Sequence, residues 1–324
     1  MKVLVISGFL GAGKTTFIKE LANRTGRDIA IFENEYAAEG VDKAILEDGI
    51  TNGDVNIWEM AQGCICCSTK GDFRESVLTI ANSVDPEILI VEPTGVGMLS
   101  NVIDNVKQIE YERIKLLAPV TIVDGGSVDR YLSQYDELYV DQIKGASVIV
   151  VSKTENTSDE EKERIKEVLN GINPDAKIIT DHYSNMDDAW FDALYDQYFD
   201  KEINASEADK ESNITLPENF SIEGIKISSL EYLIGLLDNI SRGVYGDIIR
   251  LKGHAVINGE TVRFELADRM YHITGIEGEA EQSVVFIGHG IDRQGLRSKF
   301  FVKARAYDMI RKTGMKDILR RKAV

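Results

Sequence analysis

Along the first 200 residues, short and nearly continuous apolar runs alternate with longer segments in which apolar residues recur every three or four positions. The runs are KVLVIS (2–7), IAIF (29–32), EILIVE (87–92), LLAPVTIVD (116–124), ASVIVVS (146–152) and AKIIT (176–180). Runs this rich in Val, Ile and Leu predict parallel strands covered on both faces. Between them, TTFIKELANR (15–24) and SDEEKERIKEVLNGI (158–172) carry the helical period. The second opens on Ser158 with Glu161 three residues later, a capping-box spacing, and has acids in its first turn. Strands alternating with helices predict an α/β fold with a mostly parallel sheet and right-handed crossovers.

From 201 to 220 the chain is polar, acidic and nearly free of large apolar side chains, which predicts a linker. Beyond it the pattern changes. SSLEYLIGLLDNIS (228–241) reads as a helix capped by Ser228 or Ser229. Strand-like runs follow at 247–257, 260–267, 269–276 and 283–290, the first two joined by NGE (258–260), a good hairpin turn. The last 25 residues, rich in Lys and Arg, predict a closing helix with its charges in solvent. The expected organisation is thus a large α/β domain over 1–200, a linker over 201–220 and a small α+β domain over 221–324.

Composition narrows the function classes. A formal net charge of −17 disfavours a broad nucleic-acid or anionic-membrane surface, because the global field repels phosphate. Three cysteines form no disulfide framework, and a reducing cytoplasm is expected. The N-terminal apolar run is too short for a signal peptide. No stretch approaches the roughly 18 apolar residues of a membrane span.

The first apolar run leads straight into GFLGAGKTT (8–16), which satisfies G-x-x-x-x-G-K-[ST] between a strand and a helix. The amides of Gly8, Gly11, Ala12 and Gly13 are placed to wrap phosphates, aided by the helix N-terminus. Lys14 is expected on the β- and γ-phosphates, the Thr15 hydroxyl on Mg²⁺ and Thr16 near the α-phosphate. Glu92, at the end of EILIVE, is a second candidate for the Mg²⁺ side, and Gly95 just beyond it can present an amide to the γ-phosphate. Lys14, Thr15 and Glu92 are therefore the candidate catalytic residues. After the run ending at 152 stand Ser152, Lys153, Thr154 and Glu155, where GTPases carry Asn-Lys-x-Asp. Glu155 keeps the carboxylate that pairs with guanine and Lys153 the stem that lies over the ring, while Ser152 replaces the Asn.

All three cysteines, Cys64, Cys66 and Cys67, fall within GCICC (63–67). Thiolates favour soft or borderline metals, with Zn²⁺ the commonest intracellular partner. A closed four-ligand site lacks its fourth cysteine, and the histidines (His182, His254, His272, His289) are distant in sequence. An open metal site, a redox switch and plain packing beside a turn all stay open on these residues alone.

Taken in order, these motifs resemble those of the CobW-type P-loop GTPases, relatives of the nickel-insertion GTPases of urease and hydrogenase maturation. The counterparts are the phosphate loop, NEYAAEGVD (34–42) as a switch, GCICC (63–67), EPTG (92–95) and SKTE (152–155). GDIIRLKGHAVI (246–257) and FIGHGIDRQGL (286–296) resemble two segments of that family's C-terminal domain. Two departures stand out. The family's Gly-Glu pair in the switch falls on Ala37 and Ala38, leaving Glu35 and Glu39 as candidate metal ligands; the guanine loop carries Ser and Glu. There is no His-rich loop or tail of the kind some zinc-handling members carry.

The resemblance implies a metallochaperone or metal-insertion GTPase that uses GTP and Mg²⁺. It implies that Zn²⁺ or Co²⁺ binds the cysteines, that the client is a metalloprotein or a cobalamin-pathway enzyme, and it allows a homodimer. No water-positioning Gln or arginine finger is evident, so slow intrinsic turnover is expected. Two rivals are a GTP-dependent metal or redox sensor and a P-loop ATPase with structural cysteines.

Overall fold

The computed structural model describes residues 1–33, 50, 55–59, 70–200 and 217–301 without 268, 277 and 279, with backbone alone at 55–59, 70–72 and 136. The switch residues Glu35 and Glu39, all three cysteines and the predicted basic helix beyond 301 lie outside the described residues. The chain divides into two compact units, Met1–Leu216 and Pro217–Val324.

The first unit is built on β1 (Lys2–Gly8), β2 (Ile29–Glu33), β3 (Val55–Glu59), β4 (Ile88–Glu92), β5 (Lys115–Leu116), β6 (Val120–Asp124), β7 (Val148–Ser152) and β8 (Lys177–Ile179). The strands run in the order β3-β2-β4-β1-β6-β7-β8 with β5 beside β1, and every pairing is parallel. The crossovers carry α1 (Lys14–Thr25), α2 (Lys70–Ser83), α3 (Leu99–Lys107), α4 (Val128–Gln134), α5 (Asp136–Lys144), α6 (Asp159–Ile172) and α7 (Asp188–Ala193). Strand alternation sorts the core into two layers. Leu4 and Ile6 of β1 pack with Phe17, Ile18 and Leu21 of α1 and Phe191 of α7 on one face. Val3 and Val5 pack with Phe73 and Val77 of α2 and Val102 and Ile103 of α3 on the other. The expected α/β parallel sheet is thereby met.

One predicted strand is not continuous. The run 116–124 divides into β5 and β6 at Pro119, which has no N–H for a ladder. There Ala118 N donates to Gln197 O at 2.7 Å, and the Pro119 carbonyl accepts from Ser147 N at 2.9 Å. VNIWE, now β3, carries too few consecutive apolar residues to declare itself. Ser158 caps α6 as its spacing implies, accepting from Glu161 N at 3.3 Å.

The second unit is an antiparallel sheet in the order β12-β11-β10-β13-β9, formed by β9 (Glu218–Glu223), β10 (Asp247–Ile257), β11 (Glu260–Ala267), β12 (Met270–Ile276) and β13 (Ser283–His289). β9 begins inside the stretch predicted as linker, because its polar and apolar residues alternate rather than run together. Helices α8 (Leu230–Ser241) and α9 (Arg293–Phe300) contribute Leu233, Leu237 and Phe300 to a core shared with Phe220, Leu251, Phe264 and Phe286. Ser229 caps α8, accepting from Tyr232 N at 3.2 Å. Asn258 and Gly259 both take positive φ (55° and 90°), which is the backbone a two-residue hairpin turn needs.

Candidate functional site

The C-terminal ends of β1, β4, β6 and β7 lie side by side, the usual position of a ligand site in an open α/β sheet. The chain leaves β1 at Gly8 and enters α1 at Lys14 through a loop whose turns need glycine: φ is 75° at Gly11 and 94° at Gly13. Gly13 caps α1 without any side-chain hydrogen bond, leaving the helix N-terminus to external acceptors. Lys14 is buried and its ammonium donates back across the loop to Gly8 O at 3.0 Å. Ala12 is buried and Thr16 exposed. Phe9 anchors the loop from below, its ring 4.4 Å from Tyr131 and 4.9 Å from Tyr135.

Thr15 Oγ1 donates to the Glu92 carboxylate, 3.1 Å from Oε1 and 3.4 Å from Oε2. The structure thus brings Lys14, Thr15 and Glu92 to one point. Two hard oxygen donors converging beside a phosphate loop fit Mg²⁺, which when bound would neutralise charge on the β- and γ-phosphates. Beyond Glu92, Gly95 lies against the phosphate loop itself: a Cβ at 95 would stand 2.6 Å from Leu10 N.

That second loop has a support the sequence did not announce. Gln142 of α5 is fully buried, and its amide donates to Gly97 O at 2.9 Å and Gly95 O at 3.2 Å. Its neighbour Asp141 accepts from Ser100 N at 3.2 Å, in the first turn of α3. Burial pushes the Asp141 carboxyl above the usual carboxylate range, partly offset by the Ser100 hydrogen bonds. Burial likewise raises the Tyr139 hydroxyl well above its ordinary value, next to Phe9. No local motif marks Gln142 in the sequence; only the fold brings it under the loop.

On the other side, Ser152 Oγ lies 2.7 Å from Ala12 O and 3.2 Å from Val123 O. A hydroxyl has one proton, and the shorter contact ties the β7 loop to the phosphate loop. Lys153 takes a left-handed backbone (φ 58°), and its ammonium reaches the buried Asp124 at 2.6 Å. Asp124 in turn accepts from Gly126 N at 2.9 Å. Glu155 is more than half exposed and its Oε1 stands 3.1 Å from His182 Nε2. Asp124 and His182 both belong to this loop cluster, and neither was singled out as a site residue from sequence.

At the sheet edge, β2 ends at Glu33 in register with Glu92 on one side and Glu59, the end of β3, on the other. The segment carrying the predicted switch therefore follows the strand next to Glu92, and the segment carrying GCICC follows β3, one strand further out. Among the described residues no cluster of three or more His, Cys, Asp or Glu could hold a metal ion. Nor is any helix there long and apolar enough to cross a membrane.

A parallel sheet with a glycine-bounded phosphate loop, a buried Lys14 and a Thr15–Glu92 pair defines a P-loop nucleotide-binding protein. Residues 2–180 match the family described as CobW/HypB/UreG, nucleotide-binding domain, and residues 226–302 match the cobalamin synthesis protein cobW C-terminal domain. The chain belongs to the CobW/HypB/UreG family, as its motifs implied. It is 25% identical over 322 residues to the zinc chaperone YjiA of Escherichia coli, covering 92% of this chain and 97% of that one. It is 28% identical over 198 residues to the zinc-regulated GTPase metalloprotein activator 1 of Schizosaccharomyces pombe, covering 57% of this chain and 47%, about half, of that protein. Among solved structures, the Zn(II)-bound YjiA GTPase from Escherichia coli aligns at TM-score 0.45 and 20% identity, over 93% of this chain and 98% of that one.

Proposed function

We propose that this protein is a GTP-dependent metallochaperone that binds Zn²⁺ as cargo through Cys64, Cys66 and Cys67 and delivers it under control of the nucleotide. The observation that carries the reading is the register of Glu59, Glu33 and Glu92. It puts the strand end that leads to the switch beside the Thr15–Glu92 pair, and the strand end that leads to the cysteine run next to that, on the same edge of the sheet. A nucleotide that rearranges the loops at this edge acts on the segments that hold the cargo. Relatives named as zinc chaperones support Zn²⁺, and Co²⁺ suits the same thiolates. Lys14, Thr15 and Glu92 bind and orient the triphosphate with Mg²⁺, and turnover without a partner is slow. Glu35 and Glu39 are candidate additional ligands. A metalloprotein client, a cytoplasmic location and a homodimer complete the proposal.

Coupling requires different metal affinities in the two nucleotide states. Zn²⁺ competition titrations of the reduced full chain, with GDP or a non-hydrolysable GTP analogue, are expected to differ by about tenfold, a typical allosteric coupling. Equal affinities would sink the coupling, and unchanged Zn²⁺ binding after replacing all three cysteines by serine would sink the cargo site.

Guanine is the proposed base, read by Glu155 through the N1 and N2 donors. Glu155→Gln is expected to weaken GDP binding and to recover XDP binding, because xanthine presents an acceptor where guanine has its amino group. Calorimetric titration with both nucleotides checks this, and an unaltered preference for GDP would overturn the assignment.

A further inference from the structure

His182 is distant in sequence from the cysteines, yet its ring meets the carboxylate of the proposed base-reading residue. We propose that His182 is a specificity-determining positioning residue, which holds Glu155 in the orientation that reads guanine. This rests on the guanine reading given above.

The first observation is the direction of the hydrogen bonds. His182 Nδ1 accepts from Ser184 N at 3.3 Å and lies 2.7 Å from Ser184 Oγ. A backbone N–H can only donate, so in the neutral ring the proton sits on Nε2, which faces Glu155 Oε1 at 3.1 Å. The ring therefore donates to the carboxylate without needing a positive charge. Each carboxylate oxygen has two lone pairs, so this bond leaves acceptor capacity on Oε1 and the whole of Oε2 for a ligand.

The second observation is how firmly the ring is held. It stacks on Tyr183 with centroids 4.4 Å apart, and Tyr183 packs edge-on to Phe17 of α1 at 5.1 Å. Arg24, also on α1, donates to Ser184 O and Met186 O, both at 2.9 Å. The loop that carries His182 is thus bolted to the helix that opens from the phosphate loop. Phosphate and base contacts are referenced to the same rigid element.

The third is chemical need. Glutamate has one more rotatable bond than the aspartate usual in this position, and an exposed carboxylate on a longer stem loses more freedom when it pairs with a base. A fixed donor on one oxygen removes part of that freedom before the nucleotide arrives. The extra methylene also gives the carboxylate the reach to meet a ring carried on the neighbouring β8 loop.

The test is calorimetric titration of the full chain with GDP and with ADP in the presence of Mg²⁺, read as the ratio of the two dissociation constants. His182→Ala is expected to lower the preference for GDP by about tenfold, the scale of one hydrogen bond to a charged group, with ADP binding unchanged. His182→Gln keeps an N–H donor and is expected to restore part of the preference. In Glu155→Ala, adding His182→Ala should cause no further loss. A GDP preference that survives His182→Ala while Glu155→Ala abolishes it would overturn this role and leave the guanine reading intact. A preference that survives both variants would overturn the guanine reading, and this inference with it. Equal losses of GDP and ADP affinity in both His182 variants would mark a merely structural role and overturn the proposal.

Discussion

Gly8→Ala is expected to destabilise the N-terminal unit by about 3 kcal/mol or more, among the largest effects of any single methyl added to this chain. Gly8 holds φ at 146°, and a Cβ there would stand 2.3 Å from the Ile122 carbonyl oxygen. The obstacle is backbone in the register partner on β6, so no rotamer change relieves it. Either β1 and β6 separate or the phosphate loop shifts. Both outcomes are visible: urea unfolding followed by tryptophan fluorescence reports the lost stability, and GDP titration reports the displaced loop. A variant with parental stability and affinity would mean that the close approach of Gly8 to β6 is dispensable.

Lys14→Ala is expected to lower GTP turnover by about 10²–10³-fold, the scale for removing a preorganised charge from a reacting centre. The thermal midpoint should stay close to the parent, since the variant gives up the hydrogen bond to Gly8 O but also removes the cost of burying an ammonium. Phosphate release under saturating GTP and Mg²⁺, set beside a melting curve, separates the two effects. Turnover within tenfold of the parent would place hydrolysis outside this loop.

The unequal legibility of the site has a physical origin. The phosphate loop could be read because its chemistry is local: nine consecutive residues provide the turn glycines, Lys14 and Thr15. Glu92 and Glu155 could be read because each follows an apolar run that ends on the same edge of a parallel sheet. Gln142, Asp124 and His182 act across 45, 29 and 27 residues of chain respectively, and neither composition nor periodicity encodes such pairings. The departure at Ser152 reads differently once its partner is known. Its hydroxyl reaches the carbonyl of Ala12, so it ties the base loop to the phosphate loop, a task that needs a donor of the right reach rather than an amide. For the fold, long buried runs were readable and mixed ones were not. β1, β4 and β7 stand out by apolar content, whereas β3 and β9 mix polar and apolar residues, and Pro119 divides a run whose hydropathy is unbroken.

Gln142 holds the loop after β4 by two main-chain carbonyls, of Gly95 and Gly97, and its own side-chain oxygen has no hydrogen-bond partner among the described residues. The grip is therefore indifferent to side-chain chemistry in the loop but strict about where its backbone lies. A displacement large enough to free the loop must release both carbonyls together, and a buried amide deep in α5 has no solvent with which to replace them. The loop is latched rather than sprung: small fluctuations are resisted, and departure from its seat takes the form of a threshold event instead of a graded drift.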